Sequence, residues 1–142
     1  MNHLQQIQKW MKSNDIDLFL INRTDEFLSE YIAPYAERLK WISNFSGSAG
    51  RTLALQNKAL IFIDGRYTLQ AHQQVDSHYF SIENLEDYWK LLQKKIENNS
   101  IIGIDPSLHS NSEIKKIEEL ANKKHSSIKY LRNNPIDILW KD

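Results

Sequence analysis

The sequence predicts an α/β sandwich built on a mixed sheet. Short apolar runs at 18–21 (Leu-Phe-Leu-Ile) and 101–104 (Ile-Ile-Gly-Ile) have the length and density of strands buried on both faces. Between the strand-like runs lie stretches with apolar residues at helical spacing, beginning with Leu4, Ile7 and Met11. Near the middle, two strand-like runs at 52–56 and 59–64 follow each other so closely that they suggest an antiparallel hairpin.

Each element has its own signal. Residues 2–13 read as an amphipathic helix, with Trp10 beside the apolar stripe. The run at 18–21 is the first strand. Thr24 and Asp25 can cap a short helix through Tyr31, which Pro34 should end. Residues 39–44 read as a short strand, and Ser46-Gly47-Ser48-Ala49-Gly50 is small and turn-prone. The hairpin follows, joined at Asn57-Lys58. Asp64-Gly65 breaks its second strand, and 67–75 looks helical. A strand at 79–82 precedes a helix whose face carries Leu85, Tyr88, Trp89, Leu92 and Ile96. Asp105-Pro106 stops the strand at 101–104. Ser110 and Glu113 match a capping box, and Ile114, Ile117 and Leu120 give the buried stripe of the next helix. A last strand at 128–131 leads to Asn134-Pro135, which opens a short closing helix with proline at its first position. With no internal repeat or long linker, residues 1–142 are expected to form one domain. Residues 136–142 are still patterned, so the polypeptide is expected to continue past Asp142.

Composition narrows the partners. Lys+Arg and Asp+Glu number 18 each and are mixed along the chain, which argues against a nucleic-acid or anionic-membrane partner. The absence of cysteine removes disulfides, thiol nucleophiles and Cys-based metal sites together. That absence fits a cytoplasmic protein, and the first residues are polar and amphipathic, without the apolar core of a secretion signal. The longest apolar runs, 18–21 and 59–63, are far too short to span a bilayer.

No motif carries catalysis. His3, His72, His78, His109 and His125 are scattered, with no His-Glu-x-x-His pattern. Asp105 and His109 are four apart, but Pro106 speaks against a continuous helix there, so the pair is read as part of a solvated loop rather than a metal site. Gly47-Ser48-Ala49-Gly50 lacks the Gly-x-Ser-x-Gly spacing of a nucleophile elbow, and reads as a tight loop whose small residues let two backbones approach. Four glycines and no phosphate-loop pattern give nucleotide binding little support. The most unusual segment is Asp64-Gly65-Arg66-Tyr67, at the end of a buried strand, where open α/β sheets place ligands. Asp64 can cap the following helix and Arg66 can reach a carboxylate, or the two can simply fix the corner through hydrogen bonds. Tyr31, Tyr35, Trp41 and Phe45 suit an interface or a core equally, and Trp140 could pad a contact with a following domain.

Three blocks in order carry a family resemblance. They are Ser29-Glu30-Tyr31-Ile32-Ala33-Pro34 followed by Arg38; Ile42-Ser43-Asn44-Phe45-Ser46-Gly47-Ser48-Ala49-Gly50; and Asp64-Gly65-Arg66-Tyr67 with Gln70-Ala71. Asp25-Glu26 ahead of them, and Ile136-Asp137 with Trp140 at the end, also fit. The chain resembles the creatinase/prolidase N-terminal domain, and more narrowly the first domain of three-domain Xaa-Pro aminopeptidases, the aminopeptidase P group. Three departures stand out: Asn44 where a glycine is usual, Arg51 where a small residue is usual, and Tyr35-Ala36 where an acidic or small pair is more familiar. A left-handed backbone at Asn44 would still suit asparagine.

The resemblance implies a three-layer α/β/α sandwich whose mixed sheet contains a central hairpin. It implies no catalytic residue and no metal ligand in this chain. The complete enzyme would hydrolyse the N-terminal residue preceding proline, with two divalent ions, usually manganese, in a C-terminal pita-bread catalytic domain. Its partners would be that catalytic domain, a second subunit in a homodimer, and the peptide substrate. Asp64, Arg66, Tyr67, Glu30, Tyr31 and Arg38 become candidates for substrate access or subunit contact. The alternative is a stand-alone ligand- or protein-binding module.

Overall fold

A computed structural model describes residues 1–22, 38–46 and 50–140. The predicted helix ending at Tyr31, together with Glu30 and Tyr31, lies outside the described residues. So does the Gly47-Ser48-Ala49 stretch. The described elements are α1 (His3–Ser13), β1 (Leu18–Asn22), α2 (Arg38–Ser43), β2 (Gly50–Leu55), β3 (Ala59–Ile63), α3 (Thr68–Gln74), β4 (Phe80–Asn84), α4 (Tyr88–Lys95), β5 (Ile101–Ile104), α5 (Asn111–Lys123), β6 (Ser127–Tyr130) and α6 (Pro135–Leu139). Single 3-10 turns lead into α3 and α4 at Gly65–Tyr67 and Leu85–Asp87, and a third spans Pro106–Leu108.

The six strands form one mixed sheet in the order β4-β3-β2-β1-β5-β6. Only β2 runs against the rest, pairing antiparallel with β1 and β3. The predicted hairpin is β2–β3, in the middle of the sheet. Ala54 faces Ala59 across it, and Leu55 N–H donates to the Lys58 carbonyl at 2.8 Å to close the turn. Gln8 on α1 braces that turn through Nε2, which donates to the Leu55 carbonyl at 3.0 Å.

The apolar runs sit as a sheet buried on both faces requires. All five residues of β1 and all five of β3 are buried. Alternate side chains divide between two cores. Phe19, Ile21, Ile61 and Ile63 join the side chains of α1, α2, α3 and α6 on one face. Leu18, Leu20, Leu60 and Phe62 join those of α4 and α5 on the other. The result is three layers, α/β/α.

Local chemistry sets the helix ends. Asn2 caps α1, its Oδ1 accepting from Gln5 N–H while the Gln5 side chain accepts from Asn2 N–H. Asn134 caps α6 with Pro135 at its first turn. Ser110 caps α5, accepting from Glu113 N–H at 3.2 Å, but the Glu113 carboxylate turns away from the cap towards His109 and Arg51.

The segment expected as a strand at 39–44 is instead the helix α2. Asn44 N–H donates to the Lys40 carbonyl at 2.8 Å, and Ser43 Oγ donates to the Leu39 carbonyl at 2.6 Å. Five of its six residues are buried, so the hydrophobic pattern fits either period over so short a run. The helix stops at Asn44, whose φ of 66° is left-handed and suits asparagine. Trp41 and Phe45 both lie in the core. Strand β2 begins at Gly50, earlier than predicted, where a Cβ would lie 3.0 Å from Leu39 Cδ2 and 3.3 Å from the Phe62 carbonyl oxygen. That close approach is why the segment ends in glycine.

Candidate functional site

Strands β1, β3 and β5 run the same way, so Asn22, Asp64 and Asp105 all lie at one end of the sheet, with the start of β2 among them. This is the edge at which open α/β sheets build sites. Two arrangements occupy it.

The first is the Asp64-Gly65-Arg66-Tyr67 corner. Asp64 Oδ1 accepts from Arg66 N–H at 2.9 Å and from Arg66 Nε at 3.2 Å, and Oδ2 accepts from Nη2 at 3.4 Å. The backbone hydrogen bond from Arg66, then the bond from its side chain, lower the Asp64 carboxyl below its ordinary value. Arg66 is exposed and its guanidinium lies 5.5 Å from the Tyr67 ring centroid, while Tyr67 meets Phe45 edge-on at 6.3 Å. The two charged residues thus pin the strand-to-helix turn to itself and leave the arginine at the surface. Arg38, a fourth predicted residue, is buried elsewhere. Its Nε and Nη2 donate to the two Asp137 oxygens at 2.9 and 2.8 Å, tying α2 to α6.

The second arrangement was not singled out by motif. Arg51 enters from β2 between α4 and α5. Its guanidinium lies 4.6 Å above the Tyr88 ring and 5.8 Å from Trp89, and Nη2 donates to Glu113 Oε1. His109, at the approach to α5, contacts the other Glu113 oxygen at 3.3 Å, and Asn22 from the end of β1 lies 3.0 Å from the same ring nitrogen. His109 is therefore not on a solvated loop. It is only 5% exposed, because the 3-10 turn at Pro106–Leu108 folds it under the start of α5. The His109 hydrogen bond, with the Arg51 charge and hydrogen bond, outweighs burial and holds the Glu113 carboxyl at about 2. Burial pushes the Tyr88 phenol up to about 12 despite the opposing Arg51 charge. Among the described residues its hydroxyl has no hydrogen-bond partner.

Chemically, the charges of this cluster are matched within it, while Arg51 Nη1 and Asn22 Oδ1 are also buried without a hydrogen-bond partner among the described residues. Every charge in it faces a partner or an aromatic ring. The described residues contain no group of three His, Asp or Glu side chains able to hold a metal ion. The nearest approach, His109 with Glu113, has the Arg51 guanidinium on the carboxylate where a cation would have to sit. These residues do not fit a metal centre. Among the described residues no helix is long and apolar enough to cross a membrane. At the far end of the chain, Trp140 packs partly buried against the first core, while Ile138 is 58% exposed.

Comparison with known proteins places this architecture. The family model of the creatinase/prolidase N-terminal domain matches residues 3–133. The chain is 33% identical over 141 residues to the probable Xaa-Pro aminopeptidase P of Paracoccidioides brasiliensis, covering 96% of this chain and 23% of that protein. It superposes on the X-prolyl aminopeptidase of Caenorhabditis elegans, a cytosolic enzyme with a di-nuclear active site. That match has a TM-score of 0.83 at 28% identity and covers 96% of this chain and 23% of the enzyme. The N-terminal domain of the cytoplasmic peptidase PepQ of Mycobacterium tuberculosis shares the fold over 97% of its length, with a TM-score of 0.69 at 18% identity. The chain thus spans about a quarter of the curated relatives it matches, and their catalytic domain lies outside these 142 residues. Ordered motif blocks, a three-layer sandwich and matches along nearly all of this chain converge: the chain belongs to the creatinase/prolidase N-terminal domain family and corresponds to the N-terminal part of Xaa-Pro aminopeptidases.

Proposed function

We propose that the chain is the non-catalytic first domain of an Xaa-Pro aminopeptidase, and that the whole protein removes the N-terminal residue preceding proline. The observation that carries the reading is the match along 96% of this chain to 23% of a probable Xaa-Pro aminopeptidase P. Two divalent ions, manganese by family resemblance, would belong to the C-terminal catalytic domain, and no step of the hydrolysis runs through the residues described above. The protein would work in the cytoplasm as a homodimer, with this domain contributing to the subunit contact or to the entrance of the active site. Asp64, Arg66 and Tyr67 form the surface corner suited to such a contact. Glu30, Tyr31 and Arg38 belong to the same proposal, Arg38 as the anchor that fixes the return of the chain onto α6.

The test is to compare the whole enzyme with one lacking residues 1–142, and with its Arg66→Ala variant. The reading expects loss of dimer, loss of activity on longer peptides, or both, on deletion, and a smaller change in the same direction for Arg66→Ala. Unchanged kinetics, stability and dimerisation on deletion would remove the role proposed for the domain. Unchanged values in Arg66→Ala alone would remove the corner from it.

A further inference from the structure

At the end of β1, two groups make opposite demands on one imidazole nitrogen. His109 Nδ1 lies 3.0 Å from Asn22 Nδ2 and 3.3 Å from Glu113 Oε2. An amide nitrogen only donates, so the first contact needs Nδ1 bare. A carboxylate only accepts, so the second needs Nδ1 protonated. Exchanging the amide oxygen and nitrogen of Asn22 does not settle the conflict. Nδ2 also faces the Leu108 carbonyl oxygen at 3.4 Å and Glu113 Oε2 at 3.5 Å, and an oxygen in its place would meet two acceptors. The Asn22 Oδ1 atom is buried with no hydrogen-bond partner among the described residues. Little water reaches the contact, because Asn22 and His109 are 6% and 5% exposed.

The charges around the ring are fixed. Glu113 faces it from α5, and Arg51 from β2 holds the far oxygen of Glu113. Tyr88 from α4 lies under Arg51. Asp105, at the end of β5, accepts from Ser107 and from Asn134. Among the described residues Glu113 is therefore the group placed to receive a proton-bearing Nδ1.

We propose that His109 is a proton-governed switch at the end of β1. With Nδ1 bare and the ring proton on Nε2, the imidazole accepts from Asn22 and holds the strand end. When solvent supplies a proton to Nδ1, the ring donates to Glu113 and the Asn22 amide is released. Asn22 forms the last described backbone pair of β1, with Arg51. The switch thus acts on the pairing of β1 with β2 at Asn22 and Arg51. It concerns only side chains of this domain and holds independently of the peptidase reading.

Nitrogen-15 NMR of the 142-residue chain tests it. Under alkaline conditions the His109 ring should show a bare Nδ1 and a protonated Nε2. On acidification the Asn22 side-chain amide resonances should move with the same midpoint as the His109 ring. Hydrogen exchange at the Asn22–Arg51 pair, corrected for intrinsic pH dependence, should quicken by about tenfold, as expected for loss of one buried hydrogen bond. In Asn22→Ser, if folded, the exchange change should disappear. An Nδ1-protonated neutral ring would overturn the proposal, and so would an Asn22 amide that ignores the titration of the ring.

Discussion

Replacing Glu113 by glutamine removes one negative charge from the cluster that joins β1, β2 and α5 and leaves the shape almost unchanged. Glutamine serves equally at the third position of a capped helix, so the Ser110 cap should survive. The fall of the Glu113 carboxyl from 4.5 to about 2 corresponds to about 3 kcal/mol favouring the ionised form in the fold. The carboxylate keeps a fifth of its side chain in water, so screening reduces the measurable part to about 1–2 kcal/mol. The sign follows from the direction of the shift. A carboxyl depressed in the folded state stabilises the fold above its unfolded value, and that contribution fades as pH falls through the folded one. Urea denaturation near neutral pH should show Glu113→Gln less stable than the parent chain by that margin. The gap should close as pH falls from 4.5 towards about 2. Equal stabilities at neutral pH, or a gap indifferent to pH over that window, would refute the role assigned to the Arg51–Glu113–His109 contacts.

Two further substitutions probe other joints. Asp137→Ala leaves the Arg38 guanidinium buried without its bidentate partner, and should lower stability by about 2 kcal/mol in the same denaturation assay, with faster hydrogen exchange in α2 and α6. In Gly103→Ala the new Cβ would sit 3.2 Å from both Cδ1 and Cγ2 of the fully buried Ile16, which should cost about 1–2 kcal/mol; an unchanged midpoint would mean Ile16 can shift freely.

Strands buried on both faces were legible because dense apolar runs leave few alternatives, as in β1 and β3. Helix starts were legible because Ser110 and Asn134-Pro135 carry their capping chemistry in adjacent residues. Strand order was not legible at all, since nothing local states that β2 alone runs against its neighbours. α2 was misread because six mostly buried residues satisfy both periodicities, and the deciding contacts are the backbone bonds from residues 43 and 44. Of the candidate site residues, Asp64, Arg66 and Tyr67 form the compact corner that their adjacency suggested, whereas Arg38 pairs with Asp137, 99 positions away. The buried cluster escaped motif reading for the same reason, because Asn22, Arg51, Tyr88 and His109 come from four separate elements or their connections. Two local signals were present. His109 and Glu113 stand four apart across a helix start, and Arg51 replaces a residue type that is usually small in the resembled pattern.

The proposed function divides the labour: this domain would shape the protein and a separate catalytic domain would do the chemistry. The most direct measurement is release of the first residue from an Xaa-Pro peptide with added manganese, comparing the 142-residue chain with any longer polypeptide that its gene encodes. The account predicts no hydrolysis by the chain alone and metal-dependent hydrolysis by the longer protein. Robust cleavage by the chain alone through successive purification steps would contradict it. So would a reading frame that closes directly after Asp142, which would favour a stand-alone binding module.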